Sequence, residues 1–349
     1  MKKIEAELEK WLPALPDSLW IARIFPGLEG AVNPALAASL TGPGRELMER
    51  GGKRWRPLLM SLICESLGGG DAAVPLAPLV EFCHTASLIH DDIEDGSDER
   101  RGKPAVHLLY GIDRGINSGC FLYFLPLACI GCWEKEAPDR AGLVWPIWGE
   151  YMRRLHLGQA MDIHWHRDFT SLPDLREYYT MCSLKTGCLS RLAAVLGVYA
   201  VPAFGDTIRK TAADILGSAA EKLGVGFQIL DDVKNLTSGI PGKKRGDDIA
   251  EGKKSLPILL YLHRRPERRE FAARCFAAAK KGGPGVPEAE ELIGEMQASG
   301  VLEEAREKGL FLIGESAEIF SGKGSGESLA PFFREPGRML LSGLAGLIS

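Results

Sequence analysis

Apolar residues recur every three or four positions along most of this chain, and this spacing restricts its fold more than any other feature. The segments LAPLVEFCHTASLIHDDIED, REYYTMCSLKTGCLSRLAAVLGVYA and DILGSAAEKLGVGFQILDDVKNL all show it. Such spacing places the apolar side chains on one face of an α-helix. Alternating strand-like runs bounded by turn pairs are hard to find. The sequence therefore predicts an all-α fold.

Nothing in the sequence demands a boundary between domains. The chain has 349 residues, which is enough for one large domain or two. Glycine- and proline-rich turns are expected at residues 41–44, 68–71, 238–248 and 280–287, and none is long enough to be a linker. The segment SGKGSGESLAP precedes an apolar tail, so residues 320–349 are expected to be loosely attached. We predict a single domain over residues 1–349.

Composition argues against several classes of partner. The net charge of -4 and the pI near 6.0 give no sign of the basic stripe that usually marks nucleic-acid binding. The charged N-terminus has no signal-peptide core, and the longest apolar run, residues 120–133, is too short for a membrane span. Most of the 8 cysteines lie in apolar runs, which is typical of buried, reduced thiols. A cytoplasmic protein without a membrane span is expected.

Two of the predicted helices end in carboxylates. Asp91 and Asp95 are four residues apart and share a helix face, and so do Asp231 and Asn235 on a second apolar helix. Carboxylates that point together raise one another's pKa unless a cation lies between them. Magnesium prefers oxygen ligands, takes one or two carboxylates from the protein, and completes its shell with water and phosphate. Two such clusters favour a magnesium site over solvated helix ends, which are the usual explanation of a charge run.

Basic residues stand beside these acidic motifs in the sequence. Six of them follow a glycine pair or flank an acidic stretch: Lys53, Arg56, Arg100, Arg101, Lys243 and Lys253. Lys185 interrupts an apolar helix, where an unpaired ammonium would be costly. A site for magnesium and diphosphate needs such fixed cations to share the phosphate charge.

The motifs resemble, in order, those of the trans-isoprenyl diphosphate synthases, also called the polyprenyl synthetase family. They read GGKRWRP, HTASLIHDDIEDGSDERRG, GQAMDI, LKTG, GFQILDDVKN and DDIAEGKKSLP. The resemblance covers about residues 45–260 and is closest, in motif detail, to geranylgeranyl diphosphate synthases. It implies many helices around a deep central cavity, usually in a homodimer. It also implies that isopentenyl diphosphate is added to an allylic diphosphate such as dimethylallyl, geranyl or farnesyl diphosphate.

The resemblance implies a role for each matched residue. Asp91, Asp95 and Asp231 would bind magnesium, and Asn235 stands where many members have another aspartate. The residues implied to hold the allylic diphosphate are Arg100, Lys185, Lys243 and Lys253. Those implied to hold isopentenyl diphosphate are Lys53, Arg56, His84 and Arg101. Those implied to face the developing allylic cation are Thr186 and Gln228.

The length of the product is expected to depend on residues beside the growing tail. Ala86 and Ser87, one turn before the first acidic motif, are small, so a limit at C15 is not expected. In the geranylgeranyl-type enzymes that this region resembles, the positions of Tyr123, Phe124 and His156 form the cavity floor, which favours a C20 product. If these three are ordinary core residues, a longer product is expected.

Several other functions remain open from the sequence. A longer-chain polyprenyl synthase would share every motif named above. A terpene cyclase needs no isopentenyl diphosphate pocket, so GGKRWRP and RRG argue against it. An inactive regulatory subunit would be expected to have lost carboxylates or basic groups, and this chain keeps both. HDD could also belong to a metal-dependent phosphohydrolase, for which HWH at residues 164–166 is the other local histidine pair.

Overall fold

The computed structural model describes residues 1–28, 30–167, 169, 172–202, 204–239, 244–335 and 337–348. Over these residues the chain is mostly helical with two very short strands, which confirms the predicted all-α fold. The strands among them are Glu99–Arg100 (β1) and Lys103–Pro104 (β2), an antiparallel pair in which Glu99 lies opposite Pro104.

The α-helices follow one another closely along the chain. In order they are Lys2–Trp11 (α1), Ser18–Ile24 (α2), Pro34–Glu49 (α3), Trp55–Ser66 (α4), Ala77–Glu94 (α5), Val106–Tyr110 (α6), Ile112–Trp133 (α7), Pro138–Arg167 (α8), Leu175–Cys182 (α9), Cys188–Tyr199 (α10), Asp206–Thr237 (α11), Asp247–Glu251 (α12), Leu256–Arg264 (α13), Arg269–Gly282 (α14), Pro287–Ala298 (α15), Val301–Phe320 (α16) and Gly337–Ile348 (α17). The 3₁₀ segments are Gly70–Leu76, Pro266–Arg268 and Gly324–Phe332, and Ser183–Gly187 forms a π-helical turn.

The first of two compact units contains Met1–Glu150, Leu192–Gly217 and Ser328–Leu341. Its buried side chains include Leu59, Met60 and Phe82, which are fully shielded from solvent. Leu329 and Leu341, near the C-terminus, are buried as well.

The second unit contains Tyr151–Arg191, Ser218–Glu327 and Ser342–Ser349. Its core is a continuous apolar cluster from several helices, with Tyr178, Ile229 and Leu292 among its most buried members. Each unit therefore has a core of its own. The single domain and the loosely attached C-terminal segment stay predictions.

Helix α5 shows why an apolar helix can end in carboxylates. It begins with a proline in its first turn, and its apolar residues are buried along most of its length. It ends at the C-cap Asp95, and Gly96 follows with φ 66°, the left-handed conformation that commonly closes a helix. The last turn carries no basic residue, although negative charge is unfavourable at this end of a helix dipole. The carboxylates are therefore not explained by helix stability.

The turn expected at residues 41–44 is wrong. These residues lie inside α3, with Pro43 in the helix interior. The glycine there serves close packing, because a Cβ at Gly44 would lie 2.6 Å from Leu122 Cδ1. Gly44 thus allows close packing of helices and does not break α3.

Within the described part of the chain, three helical segments are long and apolar enough to cross a membrane, judged by length and composition alone: Gly70–Glu94, Ile112–Trp133 and Leu175–Tyr199. In their most apolar windows, 67%, 44% and 78% of the residues are buried within the protein. The second segment is longer than the apolar run of residues 120–133 considered from the sequence. The absence of a membrane span therefore stays a prediction.

Candidate active site

The basic motif after the glycine pair begins in a turn with unusual backbone conformation. Gly51 and Gly52 have φ 86° and 143°, and Arg54 has φ 45°, in the left-handed region that residues with a Cβ rarely adopt. Helix α4 begins at the next residue. Lys53 is exposed and Arg56 is buried. The motif therefore presents Lys53 to solvent before the helix and Arg56 to the interior of the first unit from the first turn of α4.

Arg54 is held by buried acceptors. Its Nη1 donates to Glu81 Oε1 at 2.9 Å, and its Nη2 donates to the carbonyl oxygen of Met48 at 2.7 Å. Glu81 lies on α5 and is only 3% exposed. Burial raises the pKa of Glu81, and the neighbouring charges of Arg54, Arg56 and Arg101 oppose that rise. The buried ion pair fixes the turn of the basic motif.

His84 lies beside these arginines on α5. Arg56 Nη1 donates to His84 Nε2 at 3.4 Å, which leaves the ring proton on Nδ1. Burial lowers the pKa of His84 well below its ordinary value, and the charges of Arg56, Arg101 and Arg100 lower it further. The imidazole is therefore neutral at pH 7.

The first acidic motif is divided between a buried and a more accessible carboxylate. Arg100 Nε donates to Asp92 Oδ1 at 2.8 Å, and Arg100 Nη2 lies 3.6 Å from Asp91 Oδ2. Asp92 is fully buried, whereas the side chain of Asp91 is 16% exposed. Asp95 is partly exposed at the C-cap of the helix. Asp92 therefore positions Arg100, and Asp91 and Asp95 remain the more accessible carboxylates.

Arg101 makes contacts quite different from those of its neighbour Arg100. Its Nη1 donates to the carbonyl oxygen of Leu47 at 3.2 Å and to that of Gly51. Its backbone has φ 55°, at the turn between β1 and β2. Consecutive arginines are thus directed to separate groups, one to the acidic motif and one to the glycine turn.

Residues predicted to set product length lie on α5 and α7. Ala86 is fully buried, and its carbonyl oxygen accepts from His90 Nδ1 at 2.9 Å. His90 stacks on Tyr123 with the ring centroids 5.6 Å apart. Ser87 is half-buried and donates to the carbonyl oxygen three residues earlier at 2.8 Å. Phe124 is 65% exposed, so the structure groups Ala86 with Tyr123 and does not bring Phe124 to them.

In the second unit, Lys185 stands in the π-helical turn. Its Nζ lies 2.5 Å from Asp162 Oδ2, and His166 Nε2 donates to Asp162 Oδ1 at 2.7 Å. Burial raises the pKa of Asp162, but Lys185 and His166 outweigh this and hold that pKa well below its usual range. The lysine that the sequence placed in an apolar helix therefore has a buried carboxylate as its partner.

Helix α8 approaches the π-helical turn at backbone contact distance. A Cβ at Gly158 would lie 2.4 Å from Lys185 N and 2.6 Å from Leu184 C, so position 158 accepts no side chain without a backbone shift. Gly158 and Asp162 are one helical turn apart on α8. The GQAMDI motif thus supplies both the close approach and the partner of the lysine.

Thr186 and Gln228 are in direct contact. Thr186 Oγ1 donates to Gln228 Oε1 at 2.8 Å, and Gln228 Nε2 donates to Asp232 Oδ1 at 2.9 Å. Asp232 is 6% exposed and also accepts from the Tyr178 hydroxyl at 2.7 Å. Burial raises the pKa of Asp232 to about 6 against the effect of these donors, and the charge of Asp231 adds to the rise.

The second acidic motif has one partly exposed and one buried member. Asp231 is partly exposed on α11, but Asn235 is fully buried. Asn235 Oδ1 accepts from the backbone N–H of Asp248 at 3.2 Å, at the start of α12. Asp231 is therefore the more accessible member of the pair, and Asn235 contacts the start of the following helix.

Three predicted residues remain. Lys253 Nζ lies 2.6 Å from Glu251 Oε2 and 4.0 Å from Asp248 Oδ1. Lys243 lies outside the described residues. His156 is exposed on α8, and its Nδ1 donates to the carbonyl oxygen four residues earlier at 2.8 Å.

Residues 37–292 match the sequence profile of the family described as Polyprenyl synthetase. The chain belongs to this family. The matched range includes every residue assigned to a substrate or metal above. This synthetase is accordingly a trans-prenyltransferase.

Relatives and a solved structure agree with this assignment. The synthetase is 32% identical over 290 residues to a geranylfarnesyl diphosphate synthase of Aeropyrum pernix, covering 81% of this chain and 87% of that protein. It is 36% identical over 231 residues to a geranylgeranyl pyrophosphate synthase of Neocamarosporium betae, covering 65% and 63% of the two chains. A crystal structure of geranylgeranyl pyrophosphate synthetase from Pyrococcus horikoshii is similar over 99% of this chain and 94% of its own, with TM-score 0.77 and 25% identity.

Sequence reasoning missed the buried partners in this synthetase. Each of these partners has a carboxylate or hydroxyl that contacts a predicted functional side chain or the neighbour of one. They are Glu81, Asp92, Asp162, Tyr178 and Asp232. A signal was present, because Glu81 and Asp162 interrupt apolar helical stretches, where a charge requires a partner. The partner itself could not be read from spacing.

Proposed function

We propose that this synthetase adds isopentenyl diphosphate head-to-tail to an allylic diphosphate with the help of magnesium, and that its main product is geranylgeranyl diphosphate (C20). The observation that carries the proposal is the separation of Arg100 from Arg101. Arg100 contacts the acidic motif, whereas Arg101 contacts the turn at Gly51. An enzyme that holds two diphosphates at once needs two sets of cations, and consecutive arginines that serve different groups meet that need.

The residues present fit magnesium. Asp91, Asp95 and Asp231 offer carboxylate oxygens, which are the ligands this ion prefers. Across the described residues no three His, Cys, Asp or Glu side chains converge, and magnesium requires only one or two carboxylates where water and phosphate complete its shell. Bound magnesium would neutralise the charge that develops on the departing diphosphate.

Arg100, Lys185 and Lys253 would hold the allylic diphosphate, as would Lys243. Cations already fixed in place stabilise the leaving group without reorienting as the C–O bond breaks. The buried partners Asp92 and Asp162 support this assignment, because they orient Arg100 and Lys185 before substrate arrives. Thr186 and Gln228 would face the allylic carbon as it becomes a cation.

Lys53, Arg56, His84 and Arg101 would hold isopentenyl diphosphate. A neutral His84 can donate a hydrogen bond from Nδ1 to a phosphate oxygen while it keeps its proton. As the allylic C–O bond breaks and diphosphate departs with its electron pair, the double bond of isopentenyl diphosphate attacks the allylic carbon and a C–C bond forms. The product double bond appears when the adjacent carbon loses a proton to the released diphosphate. The burial of Arg56 favours this chemistry, since less water is present to react with the allylic cation.

Two observations support a C20 product. Ala86 on α5 has a small side chain, and Tyr123 on α7 offers a large ring, stacked on His90. The relative from Neocamarosporium betae is named for geranylgeranyl diphosphate. Geranylfarnesyl diphosphate, one isoprene unit longer, is the second candidate, since the relative from Aeropyrum pernix that matches 81% of this chain carries that name.

The synthetase is further proposed to be a cytoplasmic homodimer. Along α7, Ile112, Ile116 and Phe124 are 57%, 43% and 65% exposed and recur at helical spacing. A second copy that packs on this stripe would shield it from water. All eight cysteines are free thiols, which is compatible with a reducing compartment.

Two matched lysine variants test the proposal. The purified protein is incubated with magnesium, labelled isopentenyl diphosphate and each allylic primer in turn, and the products are sized. Lys53→Ala should raise the KM for isopentenyl diphosphate, and Lys185→Ala should raise the KM for the primer. A reversed pattern would exchange the two assignments. Wild type that forms no prenyl product with any primer would refute the function.

A further inference from the structure

A chain of hydrogen bonds in the second unit runs from the core to the residue proposed to face the allylic cation. The Tyr178 hydroxyl donates to Asp232 Oδ2 at 2.7 Å. Gln228 Nε2 donates to Asp232 Oδ1 at 2.9 Å, and Thr186 Oγ1 donates to Gln228 Oε1 at 2.8 Å. Tyr178 is 1% exposed and belongs to the apolar core cluster, so it acts on a substrate only through the other residues of this chain.

Asp232 determines which way round the Gln228 amide lies. A carboxylate accepts hydrogen bonds and donates none, so only the NH₂ end of the glutamine can face it. The carbonyl oxygen of Gln228 then faces Thr186, whose hydroxyl must donate to it. The backbone N–H of Leu256 also donates to Asp232 Oδ2 at 3.2 Å, which holds the carboxylate from another side.

We infer that Tyr178 and Asp232 are positioning residues that set the direction of the Thr186 hydroxyl dipole. The inference rests on the proposed function, in which Thr186 and Gln228 face the allylic cation. With its proton committed to Gln228, Thr186 presents oxygen lone pairs to the electron-poor carbon. With the amide reversed, Gln228 would donate to Thr186, and the hydroxyl proton would be free to point at the cation. Because the charge that develops is positive, the first arrangement stabilises it and the second does not.

The same contacts give the adjacent Asp231 and Asp232 different roles. Asp232 has three donors on its two oxygens and is buried, so its carboxylate is engaged within the protein. Asp231 is about 100° further round the helix and is partly exposed. Asp231 therefore remains the candidate metal ligand of the pair, and Asp232 serves the glutamine.

Tyr178→Phe tests the inference, because it removes one hydroxyl and keeps the ring in the core. Tyr179→Phe is a matched control, since Tyr179 is the next residue, is half-buried, and contacts the Tyr178 ring edge-on at 5.7 Å. We expect Tyr178→Phe to lower kcat about 10-fold, the effect of one lost buried hydrogen bond, with both KM values within about 2-fold of wild type. Tyr179→Phe should retain the wild-type kcat.

A double-mutant cycle separates positioning from a general structural effect. In a Gln228→Ala background the chain to Thr186 is already broken, so Tyr178→Phe should lower kcat no further. An equal loss in both backgrounds would overturn the inference, and so would an unchanged kcat in the single variant. If Tyr178→Phe also lowers the melting temperature, the cycle still decides. Wild type without prenyl transfer would instead refute the proposed function, so the two failures are distinguishable.

Discussion

The buried carboxylate of Glu81 holds Arg54 in a left-handed backbone conformation, with 2.9 Å between Arg54 Nη1 and Glu81 Oε1 and φ 45° at Arg54. This conformation costs a residue with a Cβ about 1–2 kcal/mol. Among the described residues, Arg101, with φ 55°, is the other non-glycine residue with positive φ. Both belong to the basic motifs proposed for isopentenyl diphosphate, so backbone strain is concentrated in those motifs.

Glu81→Gln should therefore weaken both stability and substrate binding. The amide keeps the shape but removes the charge that Arg54 faces, which should lower the free energy of unfolding by about 1–3 kcal/mol. The KM for isopentenyl diphosphate should rise as the turn relaxes. Denaturant unfolding and steady-state kinetics measure the two effects.

The same arginine supplies the control. Arg54 Nε also lies 3.2 Å from Glu5 Oε1, but the side chain of Glu5 is 51% exposed. Surface pairs contribute at most about 1 kcal/mol, so Glu5→Gln should stay close to wild type in both measurements. Similar losses in the two variants would show that burial of Glu81 is not what holds the turn.

Substitutions of Asp91 and of Asp92 should have different kinetic effects. Asp91→Ala removes a proposed metal ligand and should lower kcat about 100- to 1,000-fold, with a higher magnesium concentration needed for half-maximal activity. Asp231→Ala should behave likewise. Asp92→Asn should chiefly raise the KM for the allylic primer, since Asp92 orients Arg100. A magnesium titration of each variant distinguishes them, and near-normal activity of Asp91→Ala would exclude it as a ligand.

His84 should make stability depend on pH. Folding lowers its pKa, so as pH falls the unfolded chain, with a histidine pKa of about 6.5, takes up a proton before the folded chain does. The contribution of neutral His84 to the free energy of unfolding is thus fully present above the pKa of the unfolded chain. Below that pKa the contribution is lost, by at most about 1.4 kcal/mol per pH unit. His84→Gln cannot titrate, so its free energy of unfolding should fall less than that of wild type between about pH 7.5 and 5.5.

Parallel curves for wild type and His84→Gln would mean that folding leaves the affinity of His84 for protons unchanged.

Product length can be tested at each candidate position separately. Ala86→Phe should shorten the product to farnesyl diphosphate or less, because a ring would fill the space beside the tail. Tyr123→Ala with Phe124→Ala should lengthen it, as should Tyr123→Ala alone. Phe124→Ala should change little by itself, because Phe124 is 65% exposed and not grouped with Ala86. Chromatographic sizing of the products decides this, and C30 or longer chains from wild type would rule out the proposed floor.

The sequence predicted the helices and the accessible ends of the acidic motifs, because both depend on local spacing. The α5 pattern gave the helix and placed Asp91 and Asp95 at its end, as the structure has them. The π-helical turn at Ser183–Gly187 has no such signal, since it adds a residue to a turn without a change in the apolar pattern.

Buried partners could not be predicted for a related reason. Tyr178 and Asp232 are 54 residues apart, and Lys185 and Asp162 are 23 apart, so only the tertiary fold brings them together. Asn235 is a further case. Its spacing from Asp231 does not indicate that a backbone amide thirteen residues further along the chain donates to its side-chain oxygen.

The contact at Gly158 constrains how this enzyme can change. Most packing conflicts created by a larger residue can be relieved by a smaller one nearby, but here the atoms in the way are the backbone of Leu184 and Lys185. No second substitution shortens a main chain, so residue 158 has no compensating partner. Natural selection or a designed library can therefore vary the side chains around the π-helical turn, but position 158 must stay glycine.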